Sequence, residues 1–395
     1  MAESVAFYAP LKPPHHPHPS GDRRMARALM VALTRSGRQV ELASRLRSYD
    51  RDGDASRQAR IERLGKRIAE RLIARYRRMP MSRRPKAWIT YHAYHKSPDW
   101  LGSEMRQALN IPYLLIETSF APKQADGPWK LGHRATEASI GAADVTLAMT
   151  AVDESGLSPL IDRPSELRRL PPFLEPGPYR DALMSRERHR DDIARRFGLN
   201  METPWLLAVG MMRDDVKRQS YELLAKSLRH LRDRTWQLLI VGDGVARPLI
   251  ERLFKGQEPE RVKFAGILEE RELPACYAAA DLYAWPAVRE AYGMALLEAH
   301  ASGLPVVAGR EGGVTDVVRD GVTGMLTIPR DPEAFASAIA DLLDNPARRR
   351  AMAVAAHQVV EREHGLDRAS MELDRAIRDA SAIVEAKARQ MGAAR

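Results

Sequence analysis

The chain has 395 residues, 44% hydrophobic and 29% charged, which excludes fibrous and disordered classes and supplies material for two cores rather than one. Cys276 is the only cysteine, ruling out an intrachain disulfide and a cysteine-held zinc site and fitting a reducing, cytoplasmic setting. The net charge is +10, no window approaches the roughly 18 apolar residues of a spanning helix, and the opening MAESVAFYAPLKPP has neither the basic start nor the apolar stretch of a signal peptide.

In chain order, VAFYAP (5–10) reads as the first strand, followed by the Pro/His-rich run PPHHPHP (13–19). Ser20, Gly21 and Asp22 then form a turn that caps a helix carrying Arg23 and Arg24. QVELAS (39–44) is the second strand. Residues 57–86 hold twelve Lys or Arg against Glu62 and Glu70, which accounts for the whole excess of positive charge. Within them Ile61, Leu64, Ile68, Leu72 and Tyr76 recur at helical spacing, the pattern of a basic amphipathic helix. Its apolar stripe packs on a sheet. Its arginines face water and suit an anionic lipid surface, each cation contributing on the order of 1 kcal/mol there. AWITYH (87–92), PYLLIE (112–117) and DVTLAM (144–149) complete the strands of the first half.

LPPFLEPGPY (170–179) stiffens the chain and breaks helices on either side. It divides an N-terminal domain (1–175) from a C-terminal domain (176–365), with a last helical segment (366–395) packing back on the N-terminal domain. The second half alternates helix-length stretches with the runs 205–210, 236–242, 262–266, 281–285, 305–309 and 325–328. These runs are continuously apolar, the mark of parallel strands buried on both faces. The fold class is therefore α/β: two doubly wound, Rossmann-like domains facing across a cleft, with helices at the C-terminus. Ligands of such sheets bind beyond the carboxyl ends of the strands, here the loops after Gly210, Gly242, Gly266, Trp285 and Gly309.

One of these loops holds REAYGMALLEAHASGLPVVAG (289–309), in which Glu290 and Glu298 flank a helix start. The free N–H groups of Ala291 to Met294, with the helix dipole, suit a phosphate. Glu290 is placed to accept from sugar hydroxyls and Glu298 from ribose hydroxyls. The alternative for either glutamate is helix-start stabilisation, worth roughly 0.3–1 kcal/mol without any ligand.

The pattern Glu, seven residues, Glu, then the turn into PVVAG resembles the family 4 retaining glycosyltransferases of the GT-B fold (group 1 glycosyl transferases). VGDGVARPLIERL (241–253), RVKFAGILEERELPACYAAADLYAWPAVRE (261–290) and GGVTDVVRDGVTGMLTIPRDPEAFASAI (312–339) follow the family's order. The resemblance covers residues 200–345 closely and the first half weakly. It implies that Glu290 contacts the donor sugar and Glu298 the ribose, that the backbone of Ala291, Tyr292 and Gly293 holds sugar and phosphate beside Met294, and that Gly266, Ile267 and Leu268 read the base near Gly242. In VGMMRDDVKRQS (209–220) Lys217 falls where the family has a phosphate-binding lysine, while Met211 stands at the usual arginine and Arg213 is the substitute two residues on. Fixed cations of this kind stabilise the departing nucleoside diphosphate, so no metal or cofactor is expected. The Asp-x-Asp in SYDRDGDAS (48–56) reads as a polar turn.

On the acceptor side the resemblance implies a glycine turn, of which Gly21 survives. His92 and His95 crowd the end of the third strand beside Lys96, with surface or hydrogen-bonded roles as the alternative. Glu117 stands near a position where relatives carry a histidine. The expected reaction is transfer of a sugar from a nucleotide sugar, UDP- or GDP-linked, to a glycan or lipid-linked acceptor, on the cytoplasmic face of a membrane. A nucleotide-sugar epimerase on the same fold is the alternative, and a basic nucleic-acid binder a remoter one. GDGVAR (242–247) is too poor a glycine fingerprint for a nicotinamide enzyme, and no aromatic–basic interleaving supports nucleic acid as a partner.

Overall fold

A computed structural model describes residues 2–17, 20–163, 166–256 and 260–393. His18 and Pro19 of the Pro/His-rich run, and the last two residues of the C-terminal segment, lie outside them. The chain forms two compact units, one of Met1–Pro171 with Leu366–Arg395 and one of Pro172–Gly365.

The first unit is built on β1 (Ser4–Tyr8), β2 (Gln39–Ser44), β3 (Trp88–Tyr91), β4 (Tyr113–Ile116), β5 (Val145–Ala148) and β6 (Leu167–Arg169). The second is built on β7 (Trp205–Val209), β8 (Gln237–Val241), β9 (Val262–Gly266), β10 (Leu282–Trp285), β11 (Val306–Gly309) and β12 (Gly324–Thr327). The sheet orders are β2-β1-β3-β4-β5-β6 and β12-β11-β10-β7-β8-β9. Every pairing within them is parallel. The inner strands β1, β3, β4 and β5 of the first sheet and β8, β10 and β11 of the second are buried throughout, as their uninterrupted apolar sequence requires. The α/β fold expected from the sequence is present. Strand β6 was not expected: Leu-Arg-Arg is a half-exposed edge strand with no apolar run to announce it.

The last helix, Leu366–Ala393, lies in the first unit. Asp374 pairs with Arg38, and Lys387 Nζ lies 3.3 Å from Asp144 Oδ1, while Leu373, Ala376, Ile377 and Ala380 are buried.

The basic helix spans Ala55–Arg78 and buries Gln58, Gly65, Ala69, Leu72 and Tyr76. At 100° per residue the opposite pole carries Arg60, Arg63, Arg67, Arg71 and Arg78. All five are exposed, and none has a carboxylate partner among the described residues. Leu64 on this helix and Met81 just beyond it are exposed apolar side chains. The Asp-x-Asp stretch is structural. Asp50 is buried and accepts from Gln58 Nε2 at 3.0 Å, and Asp54 caps the basic helix through Arg57 N–H.

Candidate active site

In the second unit the loops after β7, β8, β9 and β10 lie at one edge of the sheet. Gly242 closes β8, where a Cβ would lie 2.0 Å from the Gly210 carbonyl oxygen, so only glycine lets these two strand ends run together. β10 ends in Trp285, whose ring meets Tyr221 edge-on at 4.9 Å. The Tyr221 hydroxyl in turn donates to the Gly210 carbonyl at 2.8 Å. The loop beyond Trp285 is anchored by Val288 N–H donating to Ser220 Oγ at 3.1 Å. It holds Ala287 at φ 58° and Arg289 at φ 49°, a conformation that costs a non-glycine residue on the order of 1 kcal/mol or more. This bend delivers Glu290.

Glu290 and Lys217 form an ion pair through Oε2 and Nζ, and their side chains are 16% and 17% exposed. Trp285 Nε1 lies 3.3 Å from the same oxygen, and Lys217 Nζ sits 5.5 Å from the centre of the Trp285 ring. Asp215 starts the helix Val216–Leu228 that carries Lys217, accepting from the Lys217 N–H at 2.8 Å. The structure thus joins two residues 73 positions apart in the chain.

Immediately after Glu290, the helix Met294–Ala301 begins at Gly293, which lies at φ 72°. A Cβ there would stand 2.8 Å from Leu296 Cδ1. No side chain caps this helix. Leu296 and Leu297 donate back to the Gly293 carbonyl at 2.8 and 3.3 Å, while helical geometry leaves the Met294 and Ala295 N–H groups without an intrahelical acceptor. Two uncommitted donors and a dipole start beside a lysine–glutamate pair make an anion site with a hydrogen-bond acceptor at its rim. Ala291 is exposed and Tyr292 buried. Gly266 is half-buried at the end of β9, Ile267 is 78% exposed and Leu268 buried.

Two further expected donor residues have other partners. Glu298 is 1% exposed and accepts from the Tyr277 hydroxyl at 2.8 Å. It stands one turn inside its helix. Arg213 pairs with Asp215, Nε to Oδ2 at 3.1 Å, and its side chain is half exposed. An acid two residues away competes successfully for it, and it does not join Lys217 and Glu290.

In the first unit the ends of the adjacent strands β1, β3 and β4 build a second cluster. His92 and Glu117, each just past its strand, adopt φ 59° and 54°. His92 Nδ1 lies 3.3 Å from Asp22 Oδ1 and 3.3 Å from Glu117 Oε1. Asp22 stands in the first turn of the helix Gly21–Arg35, which Ser20 caps. Burial alone would depress the His92 imidazole, but the Glu117 and Asp22 carboxylates outweigh it and raise it to about 9. Burial pushes Glu117 up to about 7 against the pull of His92. Burial also works on Asp22, yet the His92 cation holds that carboxyl below its ordinary value. The cluster therefore keeps an imidazolium between two carboxylates, one of them poised to gain or lose a proton near neutrality.

His95 takes a different place. Its ring meets Tyr94 at 5.2 Å and Trp129 at 5.8 Å. Burial and Lys96 lower it to about 4, and Lys96 Nζ sits 4.1 Å over Trp129. Gly21 has nothing of the chain within 4 Å of where a Cβ would stand. Asp22, Trp285, Ser220 and Tyr221 went unrecognised in the sequence as site residues. Asp22 reads there as part of a cap, and the others as ordinary strand and helix residues.

The fold is the two-domain α/β arrangement of the GT-B glycosyltransferases. The chain is similar over 96% of its length to sucrose-phosphate synthase from Thermosynechococcus elongatus (all of that chain covered, TM-score 0.75, 21% identity). Anabaena HepE solved in complex with UDP-glucose is similar over 95% of this chain and 99% of that one, with TM-score 0.68 and 15% identity. Residues 203–345 match the model of the family described as Glycosyl transferases group 1, the stretch that contains Lys217, Glu290 and Glu298. A GDP-mannose-dependent alpha-(1-6)-phosphatidylinositol monomannoside mannosyltransferase of Mycolicibacterium smegmatis is 32% identical over 54% of this chain and 56% of its own. A D-inositol 3-phosphate glycosyltransferase of Xylanimonas cellulosilytica is 29% identical over 59% and 56%. The chain thus spans about half the length of these curated relatives.

Proposed function

We propose that the protein is a retaining glycosyltransferase of family 4 that moves a sugar from a nucleotide sugar, UDP- or GDP-linked, to a glycan or lipid-linked acceptor. The Lys217–Glu290 pair beside the uncapped helix start at Gly293 carries this reading. Without ligand, each member of the pair neutralises the other. A donor diphosphate seated on the Met294 and Ala295 N–H groups competes for Lys217. Release of the lysine frees the Glu290 carboxylate to accept from hydroxyls of the donor sugar. As the sugar–phosphate bond breaks, negative charge grows on the leaving phosphate. Lys217 and the helix start face that charge with fixed groups, which need little reorganisation. A front-face displacement follows, in which the leaving phosphate oxygen takes the acceptor's proton. The Asp22–His92–Glu117 cluster is the acceptor-side candidate of the first unit, and no metal or other cofactor takes part.

The names of the mannosyltransferase and inositol phosphate glycosyltransferase relatives support a sugar-transfer reading with a glycolipid or polyol acceptor. The outward arginine row Arg60, Arg63, Arg67, Arg71 and Arg78 supports recruitment to an anionic membrane surface. No helix among the described residues is long and apolar enough to cross a membrane. Thermal shift and transfer assays with UDP-, GDP- and ADP-sugars, run with and without EDTA, test the donor reading. Stabilisation by a nucleotide sugar and EDTA-resistant transfer are expected, and an isomerised free sugar nucleotide as the product would overturn it. Flotation with liposomes tests recruitment. Equal binding to neutral and anionic vesicles would end that part of the proposal.

A further inference from the structure

The donor reading leaves open which base the site accepts, and the loops after β8 and β9 address this. The Gly293 anion site has neighbouring strands on two sides. On the β11 side the following loop is packed beneath Glu290, where a Cβ on Gly312 would lie 2.2 Å from the Glu290 carbonyl oxygen. On the other side lie β7, β8 and β9, and three steps at about 4.8 Å per strand span about 14 Å, the reach of a nucleoside beyond its diphosphate. β8 and β9 end together there, with Gly242 N–H donating to the Gly266 carbonyl at 2.8 Å.

Arg247 stands at this place. It opens the helix Arg247–Leu253 just beyond the Gly242 turn. Its Nη1 lies 3.6 Å from where a Cβ on Gly266 would be, so the guanidinium rests against the β9 exit. Two acids fix its plane: Nη1 donates to Asp243 Oδ2 at 2.9 Å and Nε to Glu251 Oε1 at 2.7 Å. Among the described residues Nη2 has no partner. One N–H of Nη1 and both of Nη2 therefore remain, side by side in a fork that donates and cannot accept. Ile267, 78% exposed next to Gly266, offers an apolar surface for a ring.

We infer that Arg247 is a specificity-determining residue that selects guanine, so that the donor is a guanosine diphosphate sugar. This rests on the donor-site reading above. The free fork matches the adjacent O6 and N7 acceptors of guanine. Adenine presents an amino donor at the same edge and is rejected, and uracil offers a single oxygen there.

The test is calorimetric titration of the full chain with GDP, UDP and ADP, using wild type, Arg247→Ala and Arg247→Lys. Arg247 is 32% exposed at a helix start, and circular dichroism establishes that both variants fold. Wild type should prefer GDP. Arg247→Ala should lose about tenfold to a hundredfold in GDP affinity while ADP changes less than threefold. Arg247→Lys, which keeps the charge and loses the fork, should lose the guanine preference as well. Equal loss for all three nucleotides, or a lysine variant that retains the preference, overturns the inference and leaves the donor site standing. Failure of wild type to bind any of the three overturns the donor reading and this inference with it.

Discussion

The two units share one scaffold, six parallel strands with helical crossovers, yet they build their loop-end sites from different materials. The second unit works mainly with backbone. Gly242 and Gly266 close their strands, and Gly293 opens a helix whose first N–H groups are uncommitted. A lysine and a glutamate then face each other at its rim. The first unit works with side chains. His92 and Glu117 are pressed into left-handed backbone at the ends of β3 and β4, and Asp22 meets them from the first turn of a helix. A backbone site presents fixed donors to a phosphate at little entropic cost. A cluster of coupled ionisable groups responds to pH and suits hydroxyls whose protons must be managed.

The sharpest way to break this comparison is to remove one side chain from each site. Glu290→Ala should reduce transfer by about a hundredfold to a thousandfold while GDP affinity stays at or above that of wild type, because Lys217 is freed. Steady-state rates with parallel calorimetry would check this, and wild-type turnover would refute the role. Lys217→Ala should weaken binding of the free nucleoside diphosphate by about tenfold to a hundredfold, the worth of a charge-assisted hydrogen bond. In the first unit, Glu117→Gln should lower transfer by about tenfold and leave nucleotide affinity unchanged. The wild-type rate should rise with pH as Glu117 ionises through about 7, and the variant's profile should be flat there. If Glu117→Gln alters nucleotide affinity as much as Lys217→Ala does, the division of labour fails.

Stability gives a smaller effect with a definite sign. His92 is held at about 9 in the folded chain against an ordinary 6.5. Its contribution is whole below 6.5 and is lost as pH rises through about 9. Glu117 is raised from 4.5 to about 7, so the folded chain also holds that proton more tightly, and stability again falls as pH rises through 7. Both groups make the first unit less stable between about pH 5 and pH 9. Glu117→Gln should flatten the lower part of that decline in a melting series. The smallest effect concerns Tyr277. Tyr277→Phe should cost about 1–3 kcal/mol by stripping a hydrogen bond from the buried Glu298 carboxylate, with transfer changed less than threefold. A large loss of donor affinity at unchanged stability would instead support the ribose role of Glu298.

Different kinds of residue were legible to different degrees. Gly293 and Glu290 stand out because they sit in the pattern Glu, seven residues, Glu and the turn into PVVAG. The burial of Glu298 was not legible. Its helix buries Leu296, Leu297, Ala299, His300 and Ala301, and a helix that is apolar on nearly every side gives no periodic signal for which way one carboxylate turns. The pairing of Arg213 has a local cause, the acid two residues on. Strand β6 carries no apolar run because it is a half-exposed edge.

By itself the sequence determined the parallel α/β architecture, the concentration of positive charge on one helix and the loops at the carboxyl ends of the strands. Continuous apolar runs, helical periodicity and glycine at strand ends are all local properties of the chain. Only the tertiary structure decided that Lys217 meets Glu290 across 73 residues, that His92 lies between Asp22 and Glu117, and that Glu298 turns inward. These depend on which strands become neighbours in a sheet. Strand order and the burial it imposes set the partners and proton affinities of such groups, and neither is written in any single stretch of chain.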